Sequence, residues 1–488
     1  NATMSNDLSN QPDNLTAAER AQIDASTSGA AILFFGSAAF WLIFASIFEA
    51  IGAIQLAYPC FLDGISFLTY GRVVQTATTV MAYGFATPAA IGIAIWLTAR
   101  LCKVPLSHHR MLVSAGIVWN LGILVGACSI ISGNSTSLPL LALPAFATPI
   151  LFVSYALIAI WVLFTFNERK SSGLFVSAWF VFAAILAFPW IFGTANALLV
   201  WNPVAAPAQP AIALWFSSGF FNLWLVPVGV AAAFYIIPKS TGLPVASSNL
   251  SLLGFWTLLL FGAWTGGAQI IGGPVPAWIT SAGVAASIML IVPALAIGLN
   301  LHLTLEGHYG PVGWSPALRF IVTGIGCLVA YWVLSAINSL PGVNAMTQFS
   351  DINRALYQLG HFGFFAMTAF GAIYYIVPRL TGHEWPCAKS ISLHFWLAAT
   401  GIGFMVVGFL LGGLIQGSAL SQTIITFRTS VEFAWPFRFL AMLGSLLILA
   451  SAVNFAMLLI GILLETRKNQ APALMAGREE NSQEPVAV

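Results

Sequence analysis

Residues 356–379 read LYQLGHFGFFAMTAFGAIYYIVPR, and this stretch decides the fold. The run is almost wholly apolar and is long enough to cross roughly 30 Å of hydrocarbon as one helix. It ends abruptly at Pro378 and Arg379, before a Thr-Gly turn. Gln358 and His361 lie inside it, although a polar group at that depth costs several kcal/mol unless it is paired. We therefore expect these two side chains to mark either a functional site or a packed contact between helices.

The whole chain has the composition of a polytopic membrane protein. Of its 488 residues, 59% are hydrophobic and 7% are charged, whereas soluble domains carry roughly 25% charged residues. The formal net charge of +2 comes from small numbers of both signs, so nothing in it favours nucleic-acid binding. The five cysteines are scattered without a C-x-x-C pair, which argues against a zinc site, a c-type haem attachment or a disulfide framework.

Twelve apolar runs, each of about 20 residues or more, predict twelve transmembrane helices. Their approximate cores are 31–57, 73–99, 111–133, 139–166, 174–201, 211–237, 250–272, 278–303, 318–338, 354–377, 391–415 and 435–464. Residues 30–465 form one membrane domain in this interpretation. The polar stretches 1–29 and 466–488 are predicted to be tails, and the first lacks the basic start and cleavage site of a signal peptide.

Positive charge predicts the orientation of these helices. Lys and Arg collect in segments that fall on one side of the twelve-helix count, namely 100–110, 167–171, 238–241, 379–389 and the tail after 465. By the positive-inside rule, that side and both termini are cytoplasmic. Arg72, Arg428 and Arg438 fall on the opposite side and are exceptions to the rule.

An internal repeat ends two of the helices. Residues 235–242 read YIIPKSTG and residues 375–382 read YIVPRLTG. In both, proline stops the helix, a cation lies at its negative end, and Thr-Gly forms the turn. These segments close the sixth and tenth helices, which predicts a unit of about four helices used three times. Such arcs leave pockets between helices where cofactors could lie.

Glu49 and His361 stand out among the ionisable side chains within the predicted spans. His361 has no second histidine at i+3 or i+4, so a hydrogen bond to a neighbouring helix is a simpler role for it than metal ligation. Glu49 is followed closely by Tyr58 and Pro59, which favours a place near the outer interface where a carboxylate reaches water. A proton relay or a lipid contact is the alternative. The other histidines are predicted at the membrane interface near helix ends (His302, His394) or in solvated loops (His108, His109, His308, His383).

Glycines crowd the outer half of the predicted seventh helix, at Gly262, Gly266, Gly267, Gly272 and Gly273. Small residues allow two helices to approach closely, and this is the simpler explanation. The alternative is a void that a larger group once occupied.

Short motifs along residues 50 to 460 match one known family. They are Gln55-Leu-Ala-Tyr-Pro59, Tyr70-Gly-Arg72, Trp215, Phe234-Tyr-Ile-Ile-Pro-Lys239, Trp264, Pro276-Ala-Trp278, Asn338-Ser-Leu340, Asp351 and Tyr374-Tyr-Ile-Val-Pro-Arg-Leu380. With them the sequence resembles the catalytic subunit I of haem-copper oxidases, in particular the C-family (cbb3-type) cytochrome c oxidases and the related nitric oxide reductases. The resemblance implies an all-α fold of twelve transmembrane helices in three pseudo-repeated four-helix arcs, in a bacterial inner membrane.

The same resemblance implies that the family's haem ligands are replaced here. The low-spin haem ligand of the second helix falls on Gln75. The H-x-H motif of the tenth helix supplies one ligand to each haem, and it falls on Leu356 and Gln358. His361 lies three residues beyond Gln358 and is not the family ligand. It remains the candidate for nonstandard ligation.

The copper site is replaced in the same way. Its helix 6 histidine falls on Ser218, its adjacent histidine pair falls on Ala268 and Gln269, and the active-site tyrosine falls on Gly262. Haem iron needs strong axial donors such as imidazole, thiolate or thioether, and copper prefers imidazole as well. The resemblance therefore implies a chain with no haem, no copper and no catalytic residue of the family reaction.

Emptied haem volumes must be filled, because large voids destabilise a core. Aromatic side chains of the tenth helix are the expected fillers: Tyr357, Phe362, Phe364, Phe365 and Phe370. Lipid or water would take any remainder. Gln75 and Gln358 would have faced each other across the low-spin haem, and we expect them to hydrogen-bond if the second and tenth helices draw together.

These implications lead to a first hypothesis, a pseudo-enzyme that acts as a structural or regulatory subunit of a respiratory membrane complex. Its partners would be membrane lipid and other subunits, such as a catalytic subunit I or membrane-anchored c-type cytochromes. A second hypothesis is an active oxidase or nitric oxide reductase that holds haem b through His361 and a nonstandard ligand. A transporter or channel is the third, although no continuous polar file runs along a span.

Overall fold

The protein, seen in a computed structural model, contains helices and turns but no strand in the part described, residues 15–170, 173–422 and 424–481, with side chains described as far as residue 466. Within those residues, eleven helices are long and apolar enough to cross a membrane, and a twelfth, α7, is shorter. In chain order the helices are α1 Ala17–Ala57, α2 Tyr70–Cys102, α3 His109–Ser132, α4 Thr148–Asn167, α5 Val176–Trp201, α6 Ala206–Thr241, α7 Ser248–Phe261, α8 Ala277–Leu305, α9 Pro316–Ser339, α10 Ile352–Thr381, α11 Ala388–Leu420 and α12 Phe427–Thr466. This is the all-α membrane architecture that the sequence predicts.

The seventh helix is shorter than its apolar run. The prediction of a span over 250–272 is wrong in its second half, because α7 ends at Phe261 and a 3-10 helix, Thr265–Ile270, follows. A Cβ on Gly266 would lie only 2.1 Å from the carbonyl oxygen of Leu214 in α6. The glycines therefore allow a neighbouring backbone to approach closely, as predicted. The backbone of Leu214 lies against the segment over which a longer α7 was expected.

The first helix begins inside the stretch predicted as a tail, 1–29. It starts at Ala17, where the side chain of Thr16 accepts from the Glu19 N–H and the Glu19 carboxylate accepts from the Thr16 N–H. This reciprocal capping box satisfies backbone donors that the helix itself leaves open. Hydropathy alone does not predict this early start, because the segment is polar and a helix cap is not a hydrophobic signal. Residues 1–14 lie outside the described part of the chain.

The predicted C-terminal tail, 466–488, also begins within a helix. The backbone of α12 continues without a break as far as Asn481. Its membrane-length apolar part ends at Thr466, close to the predicted boundary. Residues 482–488 lie outside the described residues.

The ends of α1, α2, α10 and α12 meet at one face of the bundle, which we call the N-terminal face. Asp24, near the start of α1, lies 2.9 Å from Nη2 of Arg100, near the end of α2. Thr466, where the membrane-length part of α12 ends, lies 3.5 Å from Nδ1 of His383, just after α10. The first helix therefore starts, and the last membrane span ends, on the same side of the bundle.

Three helices form the inside of the bundle. The apolar cores of α2, α6 and α10 are 100%, 94% and 94% buried, whereas those of the other spans are 39–56% buried. Each inner helix also contains a π-helical segment near its middle: Val80–Ala86, Phe220–Leu225 and Gln358–Ala366. One inner helix recurs every four helices, which is the arrangement that the sequence repeat predicts.

The repeated turn has the same geometry at the ends of α6 and α10. Gly242 and Gly382 adopt left-handed conformations, with φ of +74° and +71°. Their N–H groups donate to the carbonyl oxygens of Pro238 and Pro378, each at 2.9 Å. At the end of α2 the left-handed position is held by Lys103, with φ of +58°. A left-handed residue therefore ends all three inner helices, although the repeated sequence motif is visible at only two of them.

Candidate functional site

A cavity of about 280 Å³ lies between α6 and α10, and we call it the α6–α10 cavity. Its lining includes Ser218 of α6, Ala268 and Gln269 of the 3-10 helix, and Leu356 and His361 of α10. The fold thus brings together all three predicted copper positions and one predicted haem position. The three segments lie far apart in the sequence, and only the packing of α6, the 3-10 helix and α10 makes them neighbours.

The side chains at these positions are poor metal ligands. Ser218 Oγ donates to the carbonyl oxygen of Ala263 at 2.7 Å. Ala268 and Leu356 carry only hydrocarbon, and Gln269 carries a neutral amide. Among the described residues, no group of three or more His, Cys, Asp or Glu side chains is placed to hold a metal ion. Because copper prefers imidazole and soft sulfur donors, this set does not fit a copper site.

Gly262, the predicted position of the lost tyrosine, has no room for a side chain. A Cβ there would lie 2.7 Å from the Leu258 carbonyl oxygen and 2.9 Å from Cβ of Asn222. The Gly262 carbonyl oxygen accepts from Asn222 Nδ2 at 3.0 Å, and Asn222 Oδ1 accepts from Trp332 Nε1 at 3.0 Å. A buried hydrogen-bond chain therefore passes directly beside this position.

His361 borders the α6–α10 cavity with its ring held between two aromatic side chains. The ring stacks on Tyr357 at 4.0 Å between centroids and lies 4.9 Å from Phe221. Its Nδ1 is 3.2 Å from the Tyr357 carbonyl oxygen, one turn earlier in the same helix. The hydrogen bond predicted with a neighbouring helix is therefore formed within α10 instead. Nε2 is buried, and no hydrogen-bond partner for it lies among the residues that the structure describes.

A second cavity, of about 230 Å³, lies between α1 and α10, and we call it the α1–α10 cavity. Gln358 Nε2 donates to Glu49 Oε1 at 2.8 Å beside it. Thr78, Arg354 and Tyr357 contribute to the same lining. Glu49, predicted close to the outer interface, is half-buried, and its carboxylate also contacts α10 through this hydrogen bond.

Gln75 does not meet Gln358. Its Nε2 donates to the Thr136 carbonyl oxygen at 3.1 Å, and its Oε1 accepts from Ser135 Oγ at 2.9 Å. The prediction of a hydrogen bond between the two glutamines is therefore wrong. The physical reason is that each amide finds a nearer partner, Gln75 in the loop after α3 and Gln358 on Glu49.

The four phenylalanines predicted as fillers, Phe362, Phe364, Phe365 and Phe370, are all buried. Phe364 lies so close to Gly229 of α6 that a Cβ there would be 2.6 Å from its Cζ. Phe370 packs against Phe85 of α2 and Phe455 of α12, with ring centroids 5.8 and 4.8 Å away. These rings occupy the space where the inner helices meet.

His394 is buried, and the prediction that it lies at an interface is wrong. Tyr374 Oη lies 2.7 Å from its Nδ1, which pairs α10 with α11. The rings of Phe320 and Phe455 lie 5.0 and 5.2 Å away. The imidazole stands near a helix end in the sequence, but side chains of three other helices, α9, α10 and α12, pack around it. The remaining histidines expected at a helix end or in loops, His302, His108, His109 and His308, are exposed, and His383 is half-buried.

A buried ionic cluster on the face opposite the N-terminal face was not foreseen. Arg438 Nε lies 2.8 Å from Asp351 Oδ2, and Arg438 Nη2 lies 3.1 Å from Gln416 Oε1. Arg354 lies 3.6 Å from the other oxygen of Asp351 and donates to Tyr70 Oη. The signal available in the sequence was Arg438 itself, an exception to the positive-inside rule. Asp351 explains the exception, because its carboxylate compensates the charge of Arg438 inside the protein.

Known proteins match this chain over most of its length. The family model described as Cytochrome C and Quinol oxidase polypeptide I matches residues 29–447. The cytochrome c oxidase subunit 1 homolog of Azorhizobium caulinodans is 25% identical over 445 residues, 86% of this chain and 79% of that protein. The cbb3-type cytochrome c oxidase subunit CcoN1 of Stutzerimonas stutzeri is 25% identical over 375 residues, 75% of this chain and 78% of that protein.

The fold also matches a solved structure. A chain from the cryo-EM structure of a heme-copper terminal oxidase dimer superposes with a TM-score of 0.68 and 15% sequence identity. The match covers 88% of this chain and 84% of that chain. At that level of identity the likeness concerns the arrangement of helices, which is that of a haem-copper oxidase subunit I.

Proposed function

Because the chain belongs to the cytochrome c and quinol oxidase polypeptide I family, we propose that it is a cbb3-type subunit I-like protein that has lost its haem and copper ligands. It acts as a structural or regulatory subunit of a respiratory membrane complex. It lies in a bacterial inner membrane, with the N-terminal face and both termini toward the cytoplasm, as the positive charge of the loops on that face favours.

One observation carries the proposal. The positions matched to three copper ligands and one haem ligand, Ser218, Ala268, Gln269 and Leu356, line a single cavity. Their convergence supports the position-by-position correspondence with the family, and none of the four side chains is an imidazole. A single replacement could be compensated by a neighbour. The joint replacement supports a site that is no longer maintained for metal chemistry.

The low-spin haem positions support the same conclusion. Haem iron takes strong axial donors such as imidazole, thiolate or thioether, whereas Gln75 and Gln358 offer neutral amides that are engaged with Ser135, Thr136 and Glu49. The two cavities, about 280 and 230 Å³, are also smaller than the roughly 300–1,000 Å³ usual for cofactor sites. These residues do not fit a haem, and we derive no reaction through one.

In this proposal, the redox reactions of the complex are carried out by partner subunits. Electron transfer in the complex would belong to other chains, such as a catalytic subunit I or membrane-anchored c-type cytochromes. This chain would contribute its outer helix faces, where large apolar side chains such as Trp256 and Leu260 of α7 are each 61% exposed. Such surfaces pack against lipid or against helices of another subunit.

The test is the visible spectrum of the purified chain together with a pyridine haemochrome assay. We expect no Soret band and no haem b above background, whereas a catalytic cbb3-type relative purified in the same detergent gives the haem signal. A band corresponding to about one haem per chain, ligated as haem iron normally is, would overturn the proposal. Copper determined on the same sample should likewise stay at the level of the buffer.

A second candidate function is favoured by one feature, the unpartnered Nε2 of His361 beside the α6–α10 cavity. In that case the chain is an active oxidase or nitric oxide reductase subunit with nonstandard ligation. His361→Ala would then abolish a haem signal present in the wild type. His302→Ala is the matched control, because His302 is exposed and contacts Tyr309 away from both cavities.

A further inference from the structure

The α6–α10 cavity has a polar wall without a charged side chain. Hydroxyls, amides and one imidazole contribute to the lining, and among the lining residues that the structure describes none is Asp, Glu, Lys or Arg. An ion buried away from water is costly unless an opposite charge accompanies it. The wall therefore favours an occupant that is polar and neutral.

Three side chains of this lining each have a buried polar atom without a hydrogen-bond partner in the described part of the chain. The atoms are Asn344 Oδ1, Tyr357 Oη and His361 Nε2. The side chains of Asn344 and His361 are only 1% and 7% exposed. A buried polar group that stays unpaired loses its bonds to water without replacement. The convergence of three such atoms on one cavity indicates that the cavity holds a hydrogen-bonding ligand.

Two of these three atoms are hydrogen-bond acceptors. Asn344 Nδ2 donates to the Asn338 carbonyl oxygen at 3.3 Å, and the remaining atom, Oδ1, can only accept. His361 Nδ1 lies 3.2 Å from the Tyr357 carbonyl oxygen. Because a carbonyl oxygen only accepts, Nδ1 carries the proton, and Nε2 of the neutral imidazole is an acceptor. Tyr357 Oη is the one atom of the three that can donate.

The hydroxyls of the lining add further acceptors. Five of them donate their proton to backbone carbonyl oxygens, namely those of Thr78, Ser217, Ser218, Ser287 and Ser339. A hydroxyl has a single proton to donate but retains lone pairs, so these oxygens can only accept from an occupant. The wall therefore calls for a molecule that is rich in donors.

Size and donor count together narrow the choice of occupant. An engineered cavity of about 150 Å³ in another protein binds benzene, so about 280 Å³ accommodates a small organic molecule. Water donates as many hydrogen bonds as it accepts, so a water cluster does not match an excess of acceptors. Urea is neutral and carries several N–H bonds but a single carbonyl oxygen, which matches both the charge and the acceptor excess of the wall.

We propose that the α6–α10 cavity binds a small neutral molecule of the urea class, in which N–H donors outnumber carbonyl acceptors. Its N–H groups donate to His361 Nε2 and Asn344 Oδ1, and Tyr357 Oη donates to its carbonyl oxygen. The inference rests on the proposed function, because a metal centre at Ser218, Ala268 and Gln269 would occupy the same cavity.

The probe is radiolabelled urea, equilibrated by dialysis with the purified full-length chain in phosphatidylcholine nanodiscs, with empty nanodiscs as the blank. We expect saturable retention that approaches one urea per chain and is displaced by unlabelled urea. Tetramethylurea keeps the carbonyl but has no N–H donor, and guanidinium keeps the N–H donors but is a cation. Each should displace the probe at least about tenfold less effectively than urea, because one lacks the donors and the other buries an unpaired charge.

Two variants locate the site. His361→Phe keeps an aromatic ring beside Tyr357 but removes the Nε2 acceptor, and Ser287→Ala removes one hydroxyl acceptor from the wall. Each should weaken urea binding about fivefold, the loss of one hydrogen bond between neutral groups. His302→Phe and Ser129→Ala are the matched controls, because they make the same changes outside the cavity, and both should bind as the wild type does.

The outcomes separate this inference from the proposed function. A haem-free sample with no saturable retention, with equal retention in all four variants, or with tetramethylurea as effective as urea overturns the inference and leaves the proposed function standing. Haem in the same sample, detected by the pyridine assay, overturns the proposed function, whatever the dialysis shows. Size-exclusion profiles that match the wild type show that a variant is folded, and His361→Phe and Ser287→Ala each suffice for the test if the other fails to fold.

Discussion

Arg438 should be among the most important polar residues for the stability of the helix bundle. It lies on α12 and joins Asp351, just before α10, to Gln416 of α11, at distances of 2.8 and 3.1 Å. The side chains of Arg438 and Asp351 are each 8% exposed. Removing one partner of a buried ion pair leaves the other charge without compensation, which typically costs about 3–5 kcal/mol.

For Arg438→Leu we expect the free energy of unfolding to fall by about 3 kcal/mol, the lower end of that range. Asp351 would retain Arg354 at 3.6 Å, but that side chain is 39% exposed, so its compensation is partial. The loss can be measured by titrating the protein from mild detergent into sodium dodecyl sulfate and following the helical circular dichroism signal.

Arg428→Leu is the matched control on the same helix. Arg428 lies 3.0 Å from Glu432, and the two side chains are 90% and 59% exposed. An exposed pair of this spacing contributes only about 0.3–0.5 kcal/mol. If Arg438→Leu were no more destabilising than Arg428→Leu, the reasoning about burial would be refuted. Replacing Asp351 and Arg438 together by Asn and Leu should recover part of the loss, because the carboxylate that lost its buried partner is removed as well, and the remaining charge, that of Arg354, lies on a side chain that is 39% exposed.

Two further predictions concern the predicted haem-ligand positions and the shortened helix. The double variant Gln75→His and Gln358→His should show no bis-imidazole haem b spectrum after haem is supplied during expression, because the two side chains contact different parts of the protein; a sharp reduced α-band would contradict this. Gly266→Ala should destabilise the protein by more than about 1 kcal/mol in the same unfolding titration, because its Cβ would meet the Leu214 carbonyl oxygen at 2.1 Å. Gly326→Ala, with open space around its Cβ, should be neutral or slightly stabilising, and equal effects of the two changes would refute the packing argument.

Much of the fold could be predicted from the sequence because the bilayer acts on each segment separately. A run of about 20 apolar residues must cross as a helix, since its backbone groups find no water in the hydrocarbon. The ends of α6 and α10 are equally local: Pro238 and Pro378 stop the helices, and Gly242 and Gly382 supply the left-handed turn.

Sequence patterns gave wrong predictions where the structure of a segment depends on contacts with residues far away in the chain. The seventh helix stops early because the backbone of Leu214 approaches Gly266, and no pattern within 250–272 contains that information. His394 sits near a helix end in the sequence, yet Phe320 and Phe455 enclose it. Hydropathy reports how apolar a segment is and says nothing about which helix will cover it.

The candidate site likewise has features that the sequence determined and features that only the packing decided. The sequence by itself determined that Gln75, Ser218, Ala268, Gln269, Leu356 and Gln358 stand at the positions where the resemblance places metal ligands. Only the tertiary structure decided what these side chains contact: Gln358 donates to Glu49 across 309 residues of chain, the loop after α3 holds Gln75, and a cavity lies beside each of Leu356 and Gln358. The physical reason is that a residue's chemistry is fixed by its own atoms, whereas a buried polar group takes the nearest partner that packing brings to it.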